Sequence, residues 1–103
     1  MRLINLTPHA IVIAGHETIE PSGFIARVNT QLCNVGSVNG IPLMTSRNLG
    51  LSNVPEPQPD TMYIVASMVR AQLPDRKDLV SPSKIIRNQH GGVVGCAALE
   101  VNP

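Results

Sequence analysis

Two short stretches hold most of the residue types that do chemistry: Thr7-Pro8-His9 near the start, and the run from Ser67 through Arg70 to Asp75-Arg76-Lys77-Asp78. Histidine has an unperturbed pKa of about 6.5, so His9 is suited to act as acid, base or hydrogen-bond donor near neutral pH. Arg70 and Arg76, with Lys77, supply N–H donors for a phosphate or carboxylate, and the planar arginine fork grips two oxygens at once. Asp75 and Asp78 would hold those arginines in place, and Asp78 could instead accept from a ribose hydroxyl or a base edge. Only 15% of the chain is charged, so five charges between positions 70 and 78 are a concentrated feature. The plainer readings are a turn histidine satisfied by nearby backbone, and a solvated loop whose ion pairs are each worth under about 1 kcal/mol.

Other chemistries find no support. GxSxG, GxxxxGK[ST], HExxH and GxGxxG are all absent, which removes the hydrolase, P-loop, zincin and dinucleotide fingerprints. His9, His16 and His90 are scattered, and Cys33 and Cys96 lack CxxC spacing. The expectation is therefore no metal site, no cofactor and reduced, mostly buried thiols. Eight basic residues against seven acidic ones give a net charge of +1, too little for an electrostatic grip on DNA or RNA. Phe24 and Tyr63 are the only aromatics, too few for a base-stacking platform. No run approaches the roughly 20 apolar residues that span a bilayer. The opening Met1-Arg2-Leu3-Ile4-Asn5 does not resemble a secretion signal, so a cytoplasmic protein without membrane contact is expected.

The length of 103 residues suits one domain over residues 1–103. Residues 2–6 and 10–14 read as strands broken by Thr7-Pro8-His9, because proline cannot donate to a ladder and drives its predecessor extended. Further short strands at 18–20 and 24–28 suggest a meander. Asn39-Gly40 is a strong hairpin turn, with short arms at 35–38 and 41–44. Alternate prolines in Val54-Pro55-Glu56-Pro57-Gln58-Pro59-Asp60 predict an extended connector. Residues 61–66 read as a buried strand and 67–73 as a short helix with Ser67 as N-cap. After a turn at Ser81-Pro82-Ser83, strands at 84–88 and 93–101 form a closing hairpin around Gln89-His90-Gly91-Gly92. The pattern predicts a mainly β protein, a small β-barrel or β-sandwich with one short helix.

Ile4-Asn5-Leu6-Thr7-Pro8-His9, Tyr63-Ile64-Val65 and Leu73-Pro74-Asp75-Arg76-Lys77-Asp78-Leu79-Val80-Ser81-Pro82 together resemble a family of short phage, prophage and bacterial proteins. That family has an N-L-T-P-H opening, a Y-I-V-S-type strand and a P-x-R-x-D-L-x-x-P segment. Here the strand runs on through Ala66-Ser67, so the serine stands one place later. The resemblance covers most of the chain, implies a phage or mobile-element origin, and singles out Thr7, His9, Arg76 and Asp78.

By analogy with small phage accessory proteins that counter host defence, the leading expectation is a homo-oligomer that sequesters a small anionic ligand, such as a cyclic or ADP-ribose-type nucleotide. Its site residues would be Thr7, His9, Ser67, Arg70, Arg76 and Asp78, acting in the host cytoplasm. The first alternative is a hydrolase of such a nucleotide with His9 as acid or base. The second is a protein–protein inhibitor or virion structural module that uses exposed sheet edges and the proline connector.

Overall fold

The computed structural model describes residues 1–103. Six strands and one helix follow in order: β1 (Arg2–Asn5), β2 (Arg27–Val38), β3 (Ile41–Ser52), β4 (Thr61–Ile64), α1 (Ser67–Gln72), β5 (Leu79–Arg87) and β6 (Val93–Val101). They form a four-stranded sheet of order β1-β4-β5-β6 and a separate two-stranded ribbon, β2-β3. The protein is therefore mainly β with one short helix, as expected. Neither sheet closes into a barrel.

Period-two alternation builds the core on both faces of the larger sheet. Tyr63, Val65 and Leu79 point to one side, where Leu6, Ala26 and the helix residue Val69 cover them. Ile64, Val80 and Cys96 point to the other, under Ile11 and Ile13. The segment between β1 and β2 thus crosses one face, and α1 with the root of the ribbon covers the opposite one. Tyr63 is the one aromatic in this core, while Phe24 is 70% exposed.

The expected N-terminal meander does not form. β1 pairs in parallel with β4, and β4 in parallel with β5 through the α1 crossover. Residues 10–20 contribute only single bridges, Ile11 to Ile19 and Ile13 to Cys96. Gly15, Pro21 and Gly23 interrupt the segment too often for a ladder, so it serves as a cover whose isoleucines fill the sheet face. Ser81-Pro82-Ser83 lies within β5 rather than in a turn. Proline is tolerated there because β4 pairs only as far as Val80, which leaves that side of β5 an open edge. Ser67 opens α1 but does not cap it. Ala66 occupies the N-cap, with no side-chain cap hydrogen bond.

The Asn39-Gly40 turn falls where expected, with positive φ at both residues. Its arms are much longer than expected, twelve residues each. The ribbon carries two β-bulges, one in each strand, at Asn34-Val35-Gly36 and Asn48-Leu49-Gly50. In both, the asparagine Oδ1 accepts from the glycine amide two residues on, at 2.9 and 2.8 Å, and the glycine adopts a positive φ. Beyond its root the ribbon projects from the body. The radius of gyration is 16.5 Å, against about 13 Å for a compact chain of this length.

Candidate functional site

The N-terminal motif is organised around Asn5, which is 1% exposed. Its Nδ2 donates to the carbonyls of His9 and Ile19 at 2.8 and 3.0 Å. Its Oδ1 accepts from the backbone amide and the hydroxyl of Thr7 at 2.9 and 2.7 Å. Pro8 ends the strand, and Asn5 satisfies the polar groups freed by that ending. Thr7 is thus a turn residue, half-buried and bound to Asn5. His9 contributes its carbonyl to the same turn and leaves its imidazole exposed, with no hydrogen bond or ion pair to the ring.

Arg70 projects from α1 onto the end of the larger sheet. Its Nε donates to Ser81 Oγ at 2.9 Å and its Nη1 to Asn102 Oδ1 at 3.0 Å, and its Nη2 lies 3.2 Å from Glu100 Oε2. Asn102 returns the contact: its Nδ2 donates to the carbonyls of Leu73 and Arg76, each at 2.9 Å, and more distantly to that of Arg70. The Arg70 and Leu73 carbonyls also accept from the Leu73 and Arg76 amides, so Asn102 adds a second partner there and supplies one to the loop carbonyl of Arg76. The buried Asn102 therefore closes the C-terminal end of α1 and fixes the following loop to β6.

Arg76 and Asp78 form a bidentate pair. Nε and Nη2 of Arg76 donate to the two carboxylate oxygens of Asp78, each at 2.8 Å. Nη2 also donates to the Pro55 carbonyl at 2.9 Å, which ties the proline connector to the loop. The hydrogen bonds from Arg76 hold the Asp78 carboxyl below its ordinary range, against the opposing effect of burial. The same pairing holds the guanidinium above its ordinary value.

The six residues singled out in the sequence thus fall into local networks. Arg70 and Arg76 are linked through Asn102, but their guanidinium groups are engaged with Ser81, Asn102, Glu100, Asp78 and Pro55. Ser67 stands exposed at the other end of the helix, and Thr7 and His9 belong to the N-terminal turn. Three open surface cavities are present, and none is lined by Thr7, Ser67, Arg70, Arg76 or Asp78. His9 alone borders one, a space of about 500 Å³ with walls that include Val12, Pro82, Ile85 and Val93.

The surface also carries two sets of exposed apolar side chains. Leu32, Val35, Val38, Ile41, Leu43, Met44 and Leu49 on the β2-β3 ribbon are between 44% and 67% exposed. A second exposed set, Ile85, Ile86, Val93 and Val94, lies on the distal β5-β6 hairpin. No family model matches this chain, and no curated protein or solved structure does. The ribbon had a signal in the sequence: no charged residue occurs between Arg27 and Arg47. Asn102 had none, since a lone asparagine near a strand end carries no pattern.

Proposed function

We propose that the protein works through protein–protein contact, as a phage-type assembly or inhibitor module acting in the cytoplasm. The observation that carries this reading is the pair of twelve-residue strands, uncharged from 28 to 46 and carrying seven exposed large apolar side chains among their polar ones. Exposed edge strands in soluble proteins are ordinarily blunted by charge, proline or cover, and apolar patches of this kind mark interaction sites. In this reading a sandwich-like layering of sheet on sheet is completed between chains rather than within one.

A second reading, sequestration of a small anionic ligand such as a cyclic or ADP-ribose-type nucleotide, has the His9 cavity in its favour. A volume of about 500 Å³ falls in the range of small-molecule sites. Its walls are apolar, and the two arginines that would bind phosphate are engaged elsewhere.

One experiment separates the two. Tagged full-length protein and its Leu43→Asp variant are purified from the cells in which the protein acts. A protein partner, self or other, retained by the wild type and lost by the variant is the expected result. A nucleotide released on denaturation, with no protein partner, would overturn the contact reading and put sequestration first.

A further inference from the structure

We infer that the partner of the β2-β3 ribbon is a second copy of this chain, and that two ribbons stack face to face about a two-fold axis. The inference rests on the protein-contact reading and specifies its partner. It begins with area. The chain exposes 7017 Å². A compact monomer of 11.0 kDa exposes about 5,600 Å², so the excess is about 1,400 Å². A standard stable interface takes about 800 Å² from each partner. The surplus exceeds that and falls within the about 1,000–2,500 Å² that each partner of an obligate homodimer buries.

The ribbon's register shows which face would be covered. Residues directly opposite in an antiparallel pair share a face, and alternate pairs lie on the same side. Val38 opposite Ile41, Gly36 opposite Leu43 and Cys33 opposite Thr45 fall on one face. Ser37 opposite Pro42, Asn34 opposite Met44 and Leu32 opposite Ser46 fall on the other. The first face is apolar from the turn to Leu43, carries Cys33 beside Thr45 next, and reaches Arg47 and Gln31 only near the root. The second alternates apolar and polar groups. An isolated two-stranded ribbon is at best marginally stable in water. This one touches the body only near its root, for example where Asn48 Nδ2 donates to Gln72 Oε1 of α1.

Charge favours self-association. A two-fold contact sets the same patch against itself, so a patch carrying charge of one sign repels its copy. Residues 28–46 carry none. The outermost charge on the covered face, Arg47, lies beyond the apolar stretch, where stacked ribbons leave it at the rim.

The test uses the full chain. Sedimentation equilibrium at micromolar to 100-micromolar concentrations is expected to give twice the chain mass. Leu43→Asp and Ile41→Asp, on the covered face, should each weaken the dimer by about 100-fold or more, because they bury an unpaired charge. Ser46→Asp, on the opposite face, should leave it intact. Circular dichroism checks that the variants keep their strands. Independently, maleimide labelling of Cys33 should slow as concentration drives the dimer together. A monomer throughout the range overturns the inference, as does a dimer indifferent to Leu43 and Ile41, or one broken equally by Ser46→Asp. A monomer that still captures a different protein through Leu43 overturns the inference alone and leaves the contact reading standing. Failure of both means that no partner, self or other, is lost when Leu43 is charged.

Discussion

Arg70 and Asn102 hold each other in two directions: the guanidinium donates to the amide oxygen at 3.0 Å, and the amide nitrogen donates to carbonyls of the chain that follows Arg70. One buried side chain thereby joins the end of α1, the loop after it and the end of β6. Removing it takes the partner from the Arg76 carbonyl and from Arg70 Nη1 at once.

Asn102→Ala should therefore destabilise the fold by about 2–3 kcal/mol, the cost of orphaning buried polar groups rather than of losing one average hydrogen bond. Arg70→Ala should cost less, because Asn102 keeps its loop carbonyls. The double variant should be less destabilised than the sum of the two single variants, since both act through the same contact. Urea denaturation of the four proteins completes the cycle, and strict additivity would disprove the coupling.

The Arg76–Asp78 pair predicts a direction for pH. The Asp78 carboxyl is held below its ordinary range in the folded protein, so it binds a proton more weakly folded than unfolded. Its contribution is present above the unfolded pKa of about 3.9 and is lost as pH falls through the lower folded value. Asp78→Asn should be less stable than wild type near neutrality, by about 1–3 kcal/mol for a bidentate, partly shielded pair. The difference should shrink on acidification below about pH 4. Denaturation midpoints of both proteins between neutrality and pH 2 provide the check, and a gap that widens in acid would refute the assignment.

Much of this scaffold was legible in the sequence, and the reasons for the misses are physical. The Asn39-Gly40 turn was readable because few dipeptides accept two successive positive φ values. The arms were read as too short because Gly36 and Gly50 look like strand breakers, whereas each belongs to an Asn-x-Gly bulge that absorbs one extra residue and lets pairing continue. The charged run reads as Asp75 and Asp78 holding the arginines without saying which holds which; only Asp78 does so, and its partner is Arg76. The use of Arg70 was not readable, because Ser81 and Asn102 lie 11 and 32 residues away. Thr7 and His9 drew attention as chemistry, yet the residue that organises them is Asn5, whose burial no local pattern announces.

That reversal is testable. Asn5→Ala removes two acceptances and two donations at a site that is 1% exposed, and should cost about 3 kcal/mol or leave the chain unfolded. His9→Ala keeps the backbone carbonyl that Asn5 uses and removes only an exposed ring, so its stability should stay within about 0.5 kcal/mol of wild type. Parallel thermal melts decide between the two roles. A His9 variant as damaged as the Asn5 variant would place a structural duty on the imidazole.

Gly95 tests how the N-terminal cover is fastened to the sheet. A Cβ built at this position would lie 2.8 Å from the Val12 carbonyl oxygen, a backbone atom that cannot swing aside. The close approach serves the join itself: Cys96 N donates to the Val12 carbonyl and Ala14 N donates to the Cys96 carbonyl, each at 2.9 Å. Gly95→Ala must push residues 12–14 away from β6, lengthening both bonds and loosening Ile11 and Ile13 over Ile64 and Val80. Overpacking of this kind costs about 1–3 kcal/mol. Hydrogen exchange should locate the damage, with the Ala14 and Cys96 amides losing protection while those of β4, on the far side of β5, keep theirs. Uniform loss of protection across the sheet would mean that the cover and the sheet unfold as one unit, and that Gly95 guards the whole fold rather than a single seam.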